Sequence, residues 1–103
     1  MRGEWKCRDW ELGYWGLRLQ SDISFMYKYR LDPDQYLNYT KYDITPGQIG
    51  QVLESLDWEF VNTDRDNDYR YEYYYNSKYE GYLLTVSANI DTFKIEMYFV
   101  EEN

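Results

Sequence analysis

Residues 69–88 read YRYEYYYNSKYEGYLLTVSA, and the fold follows from how this stretch is read. Tyr69, Tyr71, Tyr73 and Tyr75 alternate with Arg70, Glu72, Tyr74 and Asn76. That period of two sends successive side chains to opposite faces of a strand. Asn76-Ser77-Lys78 supplies a turn, and the chain returns through Tyr79 to Ala88. On the return, Tyr82, Leu84, Val86 and Ala88 alternate with Leu83, Thr85 and Ser87. Asn89-Ile90-Asp91 turns the chain again, and Phe93, Ile95, Met97 and Phe99 fall on one face of a last strand. The pattern predicts an antiparallel meander with one aliphatic and aromatic face.

Just upstream the period changes to that of a helix. Thr45 suits an N-cap, and Pro46 suits the first helical position, where its missing N–H costs nothing. Ile49, Val52, Leu53 and Leu56 follow at i, i+3, i+4 and i+7, one apolar stripe. Gly47 and Gly50 each weaken the propensity by about 1 kcal/mol against Ala, so packing has to hold this helix. A glycine at position 50 would also let it lie close on a sheet. The stripe ends near Asp57, and Trp58-Glu59-Phe60-Val61 reads as strand.

Further upstream, residues 13–20 and 22–31 read as two strands, with Ile23, Phe25, Tyr27, Tyr29 and Leu31 alternating. Asp32-Pro33-Asp34 is a turn signal, while residues 35–43 fit a strand and a turn-rich segment equally. The expected fold is α+β in a single domain over residues 1–103. An antiparallel sheet of about five to six strands, ending in the meander, packs on one short helix over residues 46–56.

Composition limits the chemistry. The 103 residues include no histidine and one cysteine, which removes most catalytic and transition-metal sites. Cys7 has no histidine to activate it and no cysteine to pair with. It reads as a partly buried structural thiol in a reducing, cytoplasmic setting. Mean hydropathy is low at -0.86, but 21% of residues are aromatic, and burying such rings gives a folded rather than disordered chain. The N-terminal residues show no apolar signal-peptide core, and no apolar run is long enough to span a membrane. Gly13-Tyr14-Trp15-Gly16 lacks the spacing and lysine of a phosphate loop. No catalytic residue, metal site or cofactor is expected.

The formal charge is -8, and residues 54–80 carry eight acidic side chains against three basic ones. Asp64, Asp66 and Asp68 alternate as in the opening of a calcium-binding loop. The likeness fails where Tyr69 stands at the sharp-turn glycine position and Tyr75 at the bidentate glutamate position. An acidic hairpin tip is the better reading. Pairs of carboxylates for glycoside hydrolysis carry no weight among nineteen acidic residues.

Seven of the fourteen tyrosines lie between Tyr69 and Tyr82, and consecutive Tyr73, Tyr74 and Tyr75 must point to both faces. At least three of Tyr71, Tyr73, Tyr74, Tyr75 and Tyr79 are therefore expected on the surface, where tyrosine is a good contact residue. The four tryptophans read mainly as core, with Trp15 on a first strand and Trp58 beside the helix. Together, Asp64, Asp66, Asp68, Glu72 and those five tyrosines form the candidate partner-binding set. The expected partner is a basic protein surface, such as that of a nuclease or another nucleic-acid-binding protein. The expected role is a non-enzymatic inhibitor of the anti-defence or immunity type, its carboxylates standing in for phosphates. Direct binding of nucleic acid or membrane is disfavoured by the charge. A small-ligand or carbohydrate-binding domain using exposed aromatics is the alternative, and an exposed strand edge also leaves a homodimer open.

Overall fold

A computed structural model describes residues 2–29, 37–38 and 44–102, with side chains from 13–29 and 44–102. The chain runs α1 (Arg2–Tyr29), β1 (Leu37–Asn38), α2 (Pro46–Ser55), β2 (Glu59–Arg65), β3 (Tyr69–Tyr75), a 3-10 turn (Ser77–Tyr79), β4 (Tyr82–Asn89) and β5 (Ile95–Glu101). Four full strands form an antiparallel meander, and the two-residue β1 pairs with the outer side of β5, giving the order β1-β5-β4-β3-β2. The chain therefore passes from one edge of the sheet to the other between β1 and β2, and α2 makes that crossing.

The expected α+β class holds, with two corrections. Residues 13–20 and 22–29 are not strands; they belong to the 28-residue helix α1, so among the described residues the sheet has fewer full strands than expected. The reason lies in the packing stripe. Trp15, Leu19, Ile23 and Met26 stand at i, i+4, i+8 and i+11 and are all buried, whereas Phe25 and Tyr29 of the apparent alternation face solvent. Trp15 is core as expected, but on a helix. The turn read at residues 32–34, most of the ambiguous segment 35–43 and the Cys7 side chain lie outside the described residues.

Helix α2 is specified at both ends. Thr45 Oγ1 accepts from the Gln48 N–H at 3.2 Å and Gln48 Oε1 accepts from the Thr45 N–H at 2.8 Å, a reciprocal capping box. At the other end Asp57 takes a left-handed φ of 71°, the Trp58 N–H bonds the Leu53 carbonyl and the Asp57 N–H bonds that of Glu54. This closes a Schellman motif in which Trp58 folds back beside Leu53.

Both helices pack on one sheet face. Leu19, Ile23 and Met26 of α1 join Ile49, Val52 and Leu53 of α2 over Tyr74, Leu84, Val86, Ile95 and Met97. Near the 3-10 turn, Tyr27, Trp58, Tyr79, Tyr82 and Phe99 form a ring cluster. Trp58 stacks on Tyr79 at 5.2 Å and Tyr27 meets Tyr79 edge-on at 4.8 Å. Such pairs contribute about 0.5–1.5 kcal/mol each beyond burial, and they pin α1 to the sheet. No helix among the described residues is long and apolar enough to cross a membrane.

Candidate functional site

The sheet face turned away from the helices is built from cross-strand rows. Antiparallel register places Asn62, Tyr73, Thr85 and Tyr98 in one row, and Asp64, Tyr71, Ser87 and Glu96 in the next. Tyr69 and Tyr75 share this face with Tyr71 and Tyr73 by strand alternation, and Glu59 stands opposite Tyr75. No described helix lies over it. Thr85 and Ser87 on the central strand are nonetheless buried, because the rows set larger side chains on either side of them: Tyr73 and Tyr98 beside Thr85, Tyr71 and Glu96 beside Ser87. The Thr85 hydroxyl has no hydrogen-bond partner among the described residues.

Three of the phenols have their ionisation pushed upward. A hydrogen bond to Asp66, followed by partial burial, pushes Tyr71 up to about 12. Burial and then the Asp64 charge raise Tyr73. Burial raises Tyr98, with neighbouring Tyr73 and Glu96 adding to the shift and a hydrogen bond from Ser87 opposing it. The face presents polar phenol rings, with the side chains of Glu59 and Asp64 at its β2 margin. Glu96, on the other side, is already engaged by Lys94 at 3.0 Å.

The acidic tip is a tight, internally bonded turn. Asp66 Oδ1 accepts from the Asp68 N–H at 3.0 Å and the Tyr69 N–H at 2.8 Å, while Oδ2 accepts from the Tyr71 hydroxyl at 2.8 Å. Those bonds, the Tyr69 N–H first, hold the Asp66 carboxyl below the usual carboxylate range. Both of its oxygens are thus committed to the turn. Asp64 Oδ1 accepts from the Arg65 N–H at 2.8 Å. Among the described residues, no three acidic or thiol groups converge on a point suited to a cation.

The predicted site residues therefore divide. Asp64, Tyr71, Tyr73 and Tyr75 come together on the open face, and Asp68 stays exposed at the tip. Of the five tyrosines expected to supply at least three surface rings, Tyr71, Tyr73 and Tyr75 lie half-buried on the open face, Tyr79 is half-buried elsewhere and Tyr74 is core. Tyr74 is 3% exposed, faces α2 and donates to Glu72 Oε1 at 3.0 Å. Burial above all, then the Glu72 charge, raises its phenol. Glu72 lies on the same helix-side face, paired with Arg70 at 3.6 Å, and Tyr79 belongs to the ring cluster. None of these three reaches the open face. Asp66 is a turn anchor rather than a free docking group.

Sequence reading missed Tyr69 as a member of this site, and it missed Tyr98 and Glu96 altogether. The last two reach the site from β5, through sheet pairing that no local motif records. Phe93 was expected on the buried face of the last strand. It lies instead in the β4–β5 turn and is 72% exposed. A small open cleft is lined by Gln20, Ile23, Leu56, Trp58, Asn76, Lys78 and Tyr79. No known protein family, characterised protein or solved structure matches this chain.

Proposed function

We propose that this chain is a non-enzymatic protein-binding module of the inhibitor or immunity kind. It docks on the basic surface of a partner, such as a nuclease or another nucleic-acid-binding protein. The observation that carries this reading is the alignment of Asp64 with Tyr71, and of Asn62 with Tyr73 and Tyr98, across one uncovered sheet face. Rigid phenols give contact area at little entropic cost, and a sheet holds them in fixed spacing. Carboxylates at the margin supply the field that draws in a cationic surface and the repulsion that rejects nucleic acid.

Such docking makes the on-rate fall as salt rises. The test is chromatography of a host-cell lysate over the immobilised chain at low and moderate salt. Retention of a basic protein, weakened by salt and by joint Asp64→Lys and Asp68→Lys reversal, is the expected result. Indifference of that protein to both salt and reversal overturns the reading, as does retention of small molecules alone.

A further inference from the structure

Phe93 sits where a phenylalanine is least expected. Its backbone has φ of 61°, in the left-handed region that glycine and asparagine adopt easily and bulky side chains avoid. The surrounding turn fixes that conformation. Asn89 Oδ1 accepts from the Asp91 and Thr92 N–H groups, its carbonyl accepts from the Phe93 N–H at 2.9 Å, and its own N–H bonds the Lys94 carbonyl at 2.8 Å. The other described non-glycine residue with positive φ, Asp57, is offset by the burial of Trp58 beside it. Phe93 has no such return, because its ring is the most exposed aromatic among the described residues.

The charge around it is predominantly acidic. The Ile90 N–H bonds the Asp68 carbonyl at 2.8 Å, which ties the Phe93 turn to the acidic tip of the β2–β3 hairpin. Residues 64–68 and 89–94 hold four aspartates against two cations, Arg65 and Lys94. Asp64, Asp66, Asp68 and Asp91 enter no ion pair among the described residues, and Lys94 is bound to Glu96.

We infer that Phe93 is the anchor of the docking surface: its ring enters an apolar pocket on the basic partner, and the pocket's cationic rim meets Asp68 and Asp91. The inference rests on the docking reading above and adds to it the residue that carries the affinity and the shape of the surface that receives it. A solvent-exposed ring on a rigid, strained turn loses little entropy on burial, and a few such central aromatics carry most of the energy of an interface.

The test uses the basic protein retained in the chromatography as the probe, titrated against wild type, Phe93→Asn, Asp68→Asn with Asp91→Asn, and Phe25→Asn. Phe25 is an exposed ring on α1, 52% accessible, and serves as the control. Expected for Phe93→Asn are an unchanged or higher melting temperature and an affinity at least about tenfold weaker. The double aspartate variant should bind more weakly with a shallower salt dependence, and Phe25→Asn should match wild type. If Phe93→Asn binds as wild type while reversal at Asp64 and Asp68 still weakens binding, the anchor assignment fails and the docking reading stands. If no basic protein is retained, both fall. Equal losses for Phe93→Asn and Phe25→Asn mean general stickiness, and a lowered melting temperature for Phe93→Asn means the ring serves the fold; either result overturns the inference.

Discussion

The Tyr74 hydroxyl lies 2.6 Å from the point where a Cβ on Gly50 would stand. Helix α2 crosses the sheet directly over this phenol, and the close approach exists because residue 50 has no side chain. In a free helix, Gly50→Ala would gain about 1 kcal/mol of propensity. Here the added methyl must displace the hydroxyl and its bond to Glu72, a net cost of about 1–3 kcal/mol. Tyr74→Phe removes the obstructing oxygen at a cost of about 1 kcal/mol for the hydrogen bond. Combined with Tyr74→Phe, Gly50→Ala should then be neutral or stabilising. Urea unfolding of the four proteins in this cycle measures the coupling, and additive effects would mean the contact is not there.

Thr85 offers the opposite experiment. Its hydroxyl is buried on the central strand without a partner among the described residues, and an unsatisfied buried group of this kind costs about 1–3 kcal/mol. Thr85→Val keeps the shape, removes the polar atom and favours the strand. The expected gain in unfolding free energy is about 1 kcal/mol. A loss instead of a gain would show that the oxygen is bonded within the phenol layer.

How far the sequence disclosed this architecture depends on which signals were local. Helix α2 was legible because its cap, first-turn proline and apolar stripe all agree, and β3 to β5 because alternation persists between turn residues. Helix α1 was not. Ile23, Phe25, Tyr27 and Tyr29 mimic a strand, while the stripe that governs packing, Trp15 to Met26, runs through the same segment at helical spacing. The site was half legible for a similar reason. Alternation correctly grouped Tyr71, Tyr73 and Tyr75, but which face the helices cover depends on tertiary packing, and that sends Tyr74 and Glu72 inward. Tyr98 stands beside Thr85 only through the pairing of β4 with β5.

Asp66 gives the hairpin tip a definite dependence on acid. Its folded carboxyl titrates below its ordinary value, so its contribution is present above about pH 4 and fades as pH falls through and beneath that range. Asp66→Asn keeps one acceptor oxygen but loses the charge. This variant should be less stable than wild type at neutral pH, and the gap should narrow as the pH drops toward about 3. Denaturant unfolding at the two pH values tests this. A gap of constant size would mean that the three hydrogen bonds owe nothing to the charge.

The phenols set the alkaline limit. Tyr71, Tyr73, Tyr74 and Tyr98 all have raised folded-state values, so the native fold favours their protonated forms. Their contribution is complete below about pH 10, the ordinary tyrosine value, and is lost as pH climbs through the folded values, about 12 for Tyr71. Phenolate absorbance should show a single class near pH 10 for the chain in denaturant and an additional late class for the folded chain. Tyr71→Phe should remove part of that late class and, because Asp66 loses a donor, bring its carboxyl back toward the ordinary value. Superimposable titrations of the folded and denatured chain would mean that the rings are fully hydrated and that neither burial nor the Asp66 bond acts on them.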